Sequence, residues 1–548
     1  MNRLTSTLPF ILLPLLCIAT SCLRHEEGLS AESKAARVVV ASEHIDSLRI
    51  RKELDKLRIP VRFHQVVFSS YTNNRGSLIW IENGHFNQHA ILASAFFWRY
   101  LHEGLLDKTA FLPQMESVFR SCNLDEDLVI PSSKVVSMDI AFTSQCIMFM
   151  SRLSEGKGPE LTGQKEWYIP VRRFMPEQDV PVPIIAISKP LTSPLNGQYV
   201  ALSDALTKIK SLHKKGALKP VRFRGKNILP GDSSKTIREV KVWVQAFSGY
   251  DPYDTSSIFH SAFADRVREV RLCLGLNDTA LVDEALINRM NIPIQHRIRT
   301  ILVNLERWKW LAPDTSTSYI RINIPDYSLE VIENGVIVKR MKAVVGSESN
   351  HTVMFKDEIE QIIFSPYWHV PSGIFEKELW PKLRRDRQYL AANDMEVLGP
   401  DGVIDPSRIA WSRYTGKSFP YQIQQKPGPK NPLGLVKFHF PNPYHIYIHD
   451  TPNRELFFLQ KRPFSHGCIR ISEPEWLAAY LLKDFDEWNE AAIDSAMHSG
   501  VEQFVPLKNK VPVYITYFTS WVNETGLLQF RDDIYGHDTN MEQTMFPE

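Results

Sequence analysis

The segment Ser465–Arg470 reads Ser-His-Gly-Cys-Ile-Arg and places a thiol beside an imidazole and a guanidinium group. A second histidine, His449, precedes Cys468 by nineteen residues. A thiol attacks a carbonyl as the thiolate, and a neighbouring imidazole or guanidinium lowers the pKa of a cysteine from its free value of about 8.5. These residues predict acyl transfer through a thioester, with His449 and His466 as the candidate bases.

The residues around the thiol suit this chemistry. Gly467 allows the backbone to approach a reacting carbonyl, and the N–H groups of Gly467 and Cys468 are predicted to form an oxyanion hole. Ser472-Glu473-Pro474-Glu475 has the pattern of a capping box and predicts the start of a helix. Arg470 is expected to hold a substrate carboxylate or stabilise the thiolate; a structural salt bridge is the alternative.

The last third of the chain has the period-two pattern of β-strands. His449 ends a predicted strand over Tyr444–His449, and further strands are expected at 436–440 and 511–518. Glu333-Asn334-Gly335 separates two apolar runs and predicts a hairpin, since Asn-Gly supplies the positive φ angles of a tight turn. Residues 380–435 are rich in Gly, Pro and charge, which predicts an insertion that covers the site as a lid.

The remaining patterns indicate three further regions. Residues 31–214 are mainly helical in pattern and carry no chemical motif, so Trp80 and Trp167 are interpreted as packing residues. Residues 215–311 predict a small three-helix domain, and 312–316 a linker to the β-rich region at 318–548. The predicted fold class is therefore α+β and multidomain: a helical N-terminal scaffold, a small helical domain and a mostly β catalytic domain.

Composition and the N-terminus restrict function and location. The chain has 548 residues, is 43% hydrophobic and has a formal net charge of +2, which gives no sign of nucleic-acid binding. Residues 1–22 have a basic start and a short apolar run, which predicts an export signal. Small residues directly before Cys22 are similar to the lipobox of bacterial lipoproteins, so we expect acylation of Cys22 and a membrane anchor, with a cleaved secretory protein as the alternative.

The cysteine spacing fits no compact metal or redox motif. Cys122, Cys146 and Cys273 have apolar neighbours and are expected in hydrophobic cores, with a disulfide between two of them left open. Cys468 stands among small and polar residues, where a thiol is accessible.

His449 followed by Ser465–Arg470 resembles the signature of L,D-transpeptidases with a YkuD-type catalytic domain. Further segments resemble the large periplasmic YcbB-type subgroup of these enzymes. These segments are Val303–Leu311, Ser365–Pro371, Asn431–Phe440, Tyr447–Pro452 and Asp532–Asp538. In that subgroup the first segment bridges a peptidoglycan-binding domain to the catalytic domain. This chain has Val270–Leu276 in place of the expected Phe-Gln pair and His-Gly-Leu turn, so glycan binding by 215–300 is left open.

The resemblance implies a mechanism and a substrate. Cys468 would attack the carbonyl of the third residue of a peptidoglycan tetrapeptide stem, D-alanine would leave, and the amine of a second stem would resolve the thioester into a 3-to-3 cross-link. His449 matches the proton donor and acceptor. The other matched residues have secondary roles: His466, Gly467 and Ser465 in support of the site, Tyr447 and Arg470 in the pocket, and Trp368 and Asn431 in substrate binding. The location would be the periplasm, and no cofactor or metal is expected.

Three alternatives follow from the same residues. Water in place of the amine would give an L,D-carboxypeptidase. A non-catalytic cell-wall-binding lipoprotein would retain the domain without activity. A zinc hydrolase would use His449, Asp450, His466 and Cys468 as ligands, although their spacing matches neither Cys-x-x-Cys nor His-Glu-x-x-His.

Overall fold

The computed structural model describes residues 45–547, apart from 107–109, 125–127, 176–178, 181–183, 185–196, 249–253, 312–317 and 387. The predicted export signal, Cys22 and the linker at 312–316 lie outside the described residues. Among the described residues, no helix has both the length and the apolar composition needed to cross a bilayer.

Helices make up more than half of the described residues before 311. They are α1 Ser47–Lys56, α2 His64–Asn73, α3 Gln88–His102, α4 Met115–Asn123, α5 Val135–Glu155, α6 Pro159–Thr162, α7 Gly197–Lys214, α8 Lys235–Ser248, α9 Ser261–Cys273, α10 Glu284–Met290 and α11 Ile294–Trp310. The later helices are α12 Ser372–Ile374, α13 Trp380–Arg385, α14 Tyr389–Ala392, α15 Pro474–Leu481, α16 Glu490–His498 and α17 His537–Met545.

The first five helices surround a core of their own. At its centre the buried carboxylate of Asp139 accepts hydrogen bonds from the backbone N–H groups of Ile79, Trp80 and Ile81 and from the Tyr71 hydroxyl. Buried polar groups need such partners, because an unpaired one is costly to desolvate. The side chain of Trp80 is fully buried, which confirms its interpretation as a packing residue.

Helix α11 connects the helical regions to the β-rich region. Almost its whole length is buried, and it contacts α5, α7 and α17. The guanidinium of Arg307 is fully buried and donates to Asp538 at 2.6 Å and to Gln164 at 2.8 Å. One hydrophobic core runs from α8–α10 through α11 into the main sheet. The predicted domain boundaries at 214 and 311 stay predictions.

Within the described part of the chain, the strands form one large sheet and three small ones. They are β1 Ile81–Glu82, β2 His85–Phe86, β3 Ser318–Asn323, β4 Ser328–Glu333, β5 Val336–Gly346, β6 Lys356–Phe364, β7 Trp368–His369, β8 Met395–Gly399, β9 Gly402–Ile404, β10 Gln422–Gln425, β11 Val436–His439, β12 Ile448–His449, β13 Pro463–Ser465, β14 Ile469–Ile471, β15 Gln503–Thr516, β16 Ser520–Val522 and β17 Leu528–Phe530. The large sheet has the order β13-β5-β14-β12-β11-β6-β15-β3-β4, and an additional β4–β5 pairing closes it on itself. The mixed α/β architecture and the mostly β C-terminal domain are therefore as predicted.

The β4–β5 hairpin confirms the prediction at Asn334-Gly335. Glu333 pairs with Val336, so two residues form the loop, and their φ angles are 50° and 78°. Asparagine and glycine tolerate these positive angles better than other residues do.

Two local predictions near the site are wrong in detail. The predicted strand at 444–449 is reduced to Ile448–His449, because His445 has a φ of 54° and the Asn442 side chain accepts from Ile446 N–H. Helix α15 forms as expected, but Ser472 does not cap it. The Ser472 hydroxyl instead accepts from the backbone N–H of Lys342.

The insertion between β6 and β11 is a folded subdomain. Its sheet has the order β7-β10-β8-β9 and spans Trp368 to Gln425, so it begins before the predicted residue 380. It has a separate hydrophobic core in which Phe375, Trp380 and Phe419 pack together. We call residues 368–425 the inserted subdomain.

Candidate active site

A tight turn between β13 and β14 presents the thiol of Cys468. The Ser465 hydroxyl donates to the carbonyl of Cys468 at 2.5 Å and accepts from the N–H of Gly467 at 3.1 Å. Ser465 is thus a structural residue of the turn. Its bond to Gly467 also corrects the expectation that the Gly467 N–H contributes to an oxyanion hole, since that N–H already donates within the turn. Among the described residues, none accepts from the N–H of Cys468, so this N–H is available to donate to a bound group.

Gly467 is required by its backbone and its surroundings. Its φ is +114°, a conformation that residues with a Cβ rarely adopt, and an added Cβ would lie 3.3 Å from the carbonyl oxygen of His351. The loop after β5 supports this position, because the Thr352 hydroxyl donates to the carbonyl of Gly467 at 2.7 Å. The same hydroxyl accepts from Gly346 N–H at 2.8 Å.

Strand register places the polar residues of the site on one face of the sheet. His449 on β12 pairs with Arg470 on β14 and with Lys437 on β11. Paired residues share a face, and side chains alternate along a strand, so Tyr447 and Cys468 belong to the same face. The opposite face carries Phe438, Ile448 and Ile469, which are fully buried. The sheet is therefore core on one side and a candidate site on the other.

The environment of Cys468 pulls its pKa in both directions. Burial raises the pKa of the thiol above its usual value. Hydrogen bonds from the backbone and the hydroxyl of Tyr447 oppose this, as do the charges of Lys437 and Arg470. The Sγ atom lies 3.6 Å from the carbonyl oxygen of His445, to which the thiol donates. The resting cysteine is protonated, and groups that stabilise its thiolate surround it.

His449 is a neutral base on the same face. Its Nδ1 lies 2.5 Å from the carbonyl oxygen of Asp450, and since a carbonyl only accepts, Nδ1 carries the proton and Nε2 holds a lone pair. Burial, followed by the charge of Arg470, lowers the pKa of His449 to about 3. Among the described residues no hydrogen bond joins His449 to Cys468. Catalytic hydrogen bonds of this kind often tighten only with substrate bound.

His466 contacts the inserted subdomain. Its Nε2 lies 2.6 Å from Oε1 of Glu378 in the inserted subdomain, and both side chains are about half exposed. The structure thus separates the two candidate bases: His449 lies on the face of Cys468, and His466 links the turn to the inserted subdomain.

Arg470 and Lys437 supply positive charge to this face. The Nε of Arg470 is buried and has no hydrogen-bond partner among the described residues, and the salt bridge considered from the sequence is not found there. Burial lowers the pKa of both cations, and the charge of Cys468 opposes that shift. Sequence reasoning missed Lys437, because only the pairing of β11 with β12 brings it to the site.

The two predicted substrate-binding residues lie in different settings. Asn431 is buried, and its amide donates to the carbonyls of Pro366 and Lys426 while its Oδ1 accepts from Leu433 N–H. These bonds make Asn431 a turn residue whose polar atoms are occupied. Trp368 is half-buried on β7 and packs against the core of the inserted subdomain, and its substrate contact stays a prediction.

The four residues of the zinc alternative do not converge. His449 bonds to a backbone carbonyl and His466 to Glu378, and the described residues place no cluster of metal-ligating atoms at Cys468. The other three described cysteines, Cys122, Cys146 and Cys273, are buried as free thiols, as the core interpretation expects.

The β-rich region that carries the candidate site is similar to the YkuD-type L,D-transpeptidase catalytic domain. Residues 317–515 match the family model of that domain. This matched range contains every residue of the candidate site. This confirms the predicted family for this part of the chain, while the YcbB-type subgroup stays a prediction.

A curated relative from Haemophilus influenzae, provisionally described as an L,D-transpeptidase, is 33% identical over 220 residues. The match covers 40% of this chain and 44% of the relative, so this chain spans less than half of that protein.

Two solved L,D-transpeptidases are also similar. One from Xylanimonas cellulosilytica is 12% identical with a TM-score of 0.18, covering 54% of this chain and 100% of that chain. One from Mycobacterium smegmatis is 13% identical with a TM-score of 0.19, and the match covers 36% of this chain and 58% of that chain. At these TM-scores the similarities carry no argument.

Proposed function

We propose that this protein is a peptidoglycan L,D-transpeptidase with Cys468 as its nucleophile. The observation that carries the proposal is the position of Cys468 within the matched catalytic domain, among the thiolate-stabilising groups Tyr447, Lys437 and Arg470. The neutral His449 on the same face supports it, since a general base must be deprotonated before it accepts a proton.

In the first half-reaction the thiol loses its proton to His449 and Sγ attacks the carbonyl carbon of the third stem residue. The oxyanion of the tetrahedral intermediate accepts from the N–H of Cys468. The C–N bond to D-alanine then breaks, and the proton passes from His449 to the leaving amine, which leaves a thioester on Cys468. The neutral Nε2 of His449 suits both transfers.

In the second half-reaction the amine of another stem attacks the thioester. Its proton passes to His449 and then to the departing thiolate, which restores the resting enzyme with a 3-to-3 cross-link as the product. Water in place of the amine gives the tripeptide and makes the protein an L,D-carboxypeptidase. The contact between His466 and Glu378 places the inserted subdomain next to the turn, where it would influence this partition.

Arg470 is proposed to bind a carboxylate of the donor stem. Its buried Nε has no hydrogen-bond partner among the described residues, and a guanidinium forms strong, directional bonds to a carboxylate. The charge would then serve two purposes, binding the stem and stabilising the thiolate.

The proposed location is the periplasm, with the chain held at a membrane through acylated Cys22. The support is the signal-like pattern of residues 1–22 alone. Metabolic labelling with a palmitate analogue tests it. Label on the wild type but not on a Cys22→Ala variant supports a lipoprotein, and an unlabelled wild type with a cleaved signal contradicts it.

Incubation of the protein with a disaccharide-tetrapeptide, followed by mass spectrometry of the products, tests the activity. Dimers with a 3-to-3 link support transfer, and tripeptide alone would assign the carboxypeptidase. Cys468→Ala is expected to abolish both products, whereas Cys273→Ala, which removes a buried thiol elsewhere, should retain them.

Intact mass after incubation with a carbapenem tests the idle-domain alternative. We expect one adduct per chain on the wild type and none on Cys468→Ala. A wild type with neither an adduct nor a product would refute the enzyme proposal.

A further inference from the structure

Two imidazoles and a carboxylate meet outside the candidate active site. Glu166 follows α6, His351 lies in the loop after β5, and His537 begins α17. One ligand atom from each lies within 4.8 Å of the other two. Oε2 of Glu166 is 2.9 Å from Nδ1 of His351 and 3.6 Å from Nε2 of His537.

The separations from Glu166 are close to those in the ligand shell of a small divalent cation. Zinc binds histidine nitrogen and carboxylate oxygen at about 2.0–2.2 Å in a tetrahedral arrangement, which puts neighbouring ligand atoms about 3.3 Å apart. The two distances from Glu166 lie on either side of this value, and all three ligand atoms lie within 4.8 Å of one another, so side-chain movements would close the shell.

His537 gives an independent indication of a ligand. Its side chain is only 3% exposed, and neither ring nitrogen makes a hydrogen bond within the described part of the chain. Buried imidazole nitrogens ordinarily have a partner, because desolvating them without one is unfavourable. Burial, followed by the charge of Arg307, lowers the pKa of His537 to about 3. The ring is therefore neutral, which is the form that ligates metals.

The surrounding structure holds the three side chains in place. The carbonyl of Glu166 accepts from Met354 N–H at 3.0 Å, which ties this segment to the residues between His351 and β6. The ring of His351 stacks on Tyr535 with centroids 4.0 Å apart, and the ring of Tyr517 packs edge-on against His537 at 4.8 Å. Such prior positioning reduces the entropy lost when a metal binds.

We propose that Glu166, His351 and His537 bind one divalent cation of the zinc class, with water completing the coordination. The cation would connect three segments that are distant in sequence. It would also stabilise the support of the active-site turn, since Thr352, next to His351, donates to the carbonyl of Gly467. The site is structural and separate from the thiol chemistry of Cys468.

Zinc binding by the purified full chain tests this inference. The chain carries Cys468→Ala, so that the reactive thiol does not bind zinc, and no polyhistidine tag. After removal of metals with a chelator, equilibrium dialysis against ZnCl2 with elemental analysis is expected to give one zinc per chain. Glu166→Gln and His351→Gln should each raise the dissociation constant at least about tenfold. The matched control His498→Gln, which removes an exposed histidine paired with Asp494, should leave it unchanged.

A second readout does not depend on affinity alone. Cobalt added in place of zinc should give the visible spectrum of a tetrahedral site in the parent chain and lose it in Glu166→Gln. Glu166 is partly exposed, so this variant is expected to fold, which circular dichroism checks. The inference is overturned if the parent chain binds no stoichiometric zinc, or if Glu166→Gln and His351→Gln bind zinc as the parent does.

Discussion

His449 on β12 and Arg470 on β14 stand side by side in parallel register, so an imidazole and a guanidinium share the face that carries Cys468. The charge of Arg470 helps burial to lower the pKa of His449, and it also lowers that of the thiol. One cation thus adds to burial in opposing protonation of His449 and favours the thiolate form of Cys468.

Lys437 is expected to activate the thiol. Its charge lowers the pKa of Cys468, so Lys437→Met should raise that pKa and slow alkylation at pH 7, by up to about tenfold for one pKa unit. The rate of iodoacetamide labelling between pH 6 and 10 measures this. Lys510→Met, which removes an exposed lysine paired with Glu360, is the control. An unchanged labelling profile in Lys437→Met would show that the charge does not reach the thiol.

The hydroxyl of Tyr447 is expected to stabilise the thiolate by a hydrogen bond. Tyr447→Phe keeps the ring beside Lys437 and His449 but removes this donor. A hydrogen bond of about 1 kcal/mol net corresponds to a roughly fivefold loss in labelling rate at neutral pH, through a raised pKa of Cys468. Iodoacetamide labelling between pH 6 and 10 measures this loss. A labelling rate of Tyr447→Phe at or above that of the wild type would contradict the proposed hydrogen bond to the thiolate.

His449 should make the fold sensitive to acid. Its pKa is about 3 in the folded chain and near 6.5 when unfolded, so the unfolded state binds the extra proton between these values. The stability from keeping this ring neutral is present above about pH 6.5 and is lost as the pH falls toward 3. We expect the melting temperature to fall less between pH 7.5 and 5 in His449→Gln than in the wild type. An equal fall in the melting temperature of both proteins would show that His449 does not contribute to the acid sensitivity.

Gly467→Ala should disrupt the active-site turn. A φ of +114° strains any residue with a Cβ, at a cost of about 1–3 kcal/mol, and the new methyl group would press on the carbonyl of His351. We expect a lower melting temperature and slower labelling of Cys468. Gly373→Ala is the matched control, since its Cβ would enter open space. Equal behaviour of the two variants would show that the turn accepts a side chain.

Several features of the fold and of the candidate site could be predicted from local sequence patterns. The two-residue hairpin at Asn334-Gly335 follows from the φ angles these residues tolerate, and the proposal of thiol chemistry rests on the residue types in Ser465–Arg470. The extent of the strand before His449 was not predictable from apolar alternation. A left-handed residue at His445 and the side-chain bonds of Asn442 override that alternation.

The sequence by itself predicted the cysteine of the candidate site, the family of the matched domain and the α+β class, because these depend on residue identity and on periodicity along the chain. Only the tertiary structure decided which cations face the thiol, which histidine shares its face, and that Asn431 has its amide occupied. It also brought together Glu166, His351 and His537. The physical reason is that strand register and long-range packing fix these contacts, and neither is encoded in the spacing of neighbouring residues.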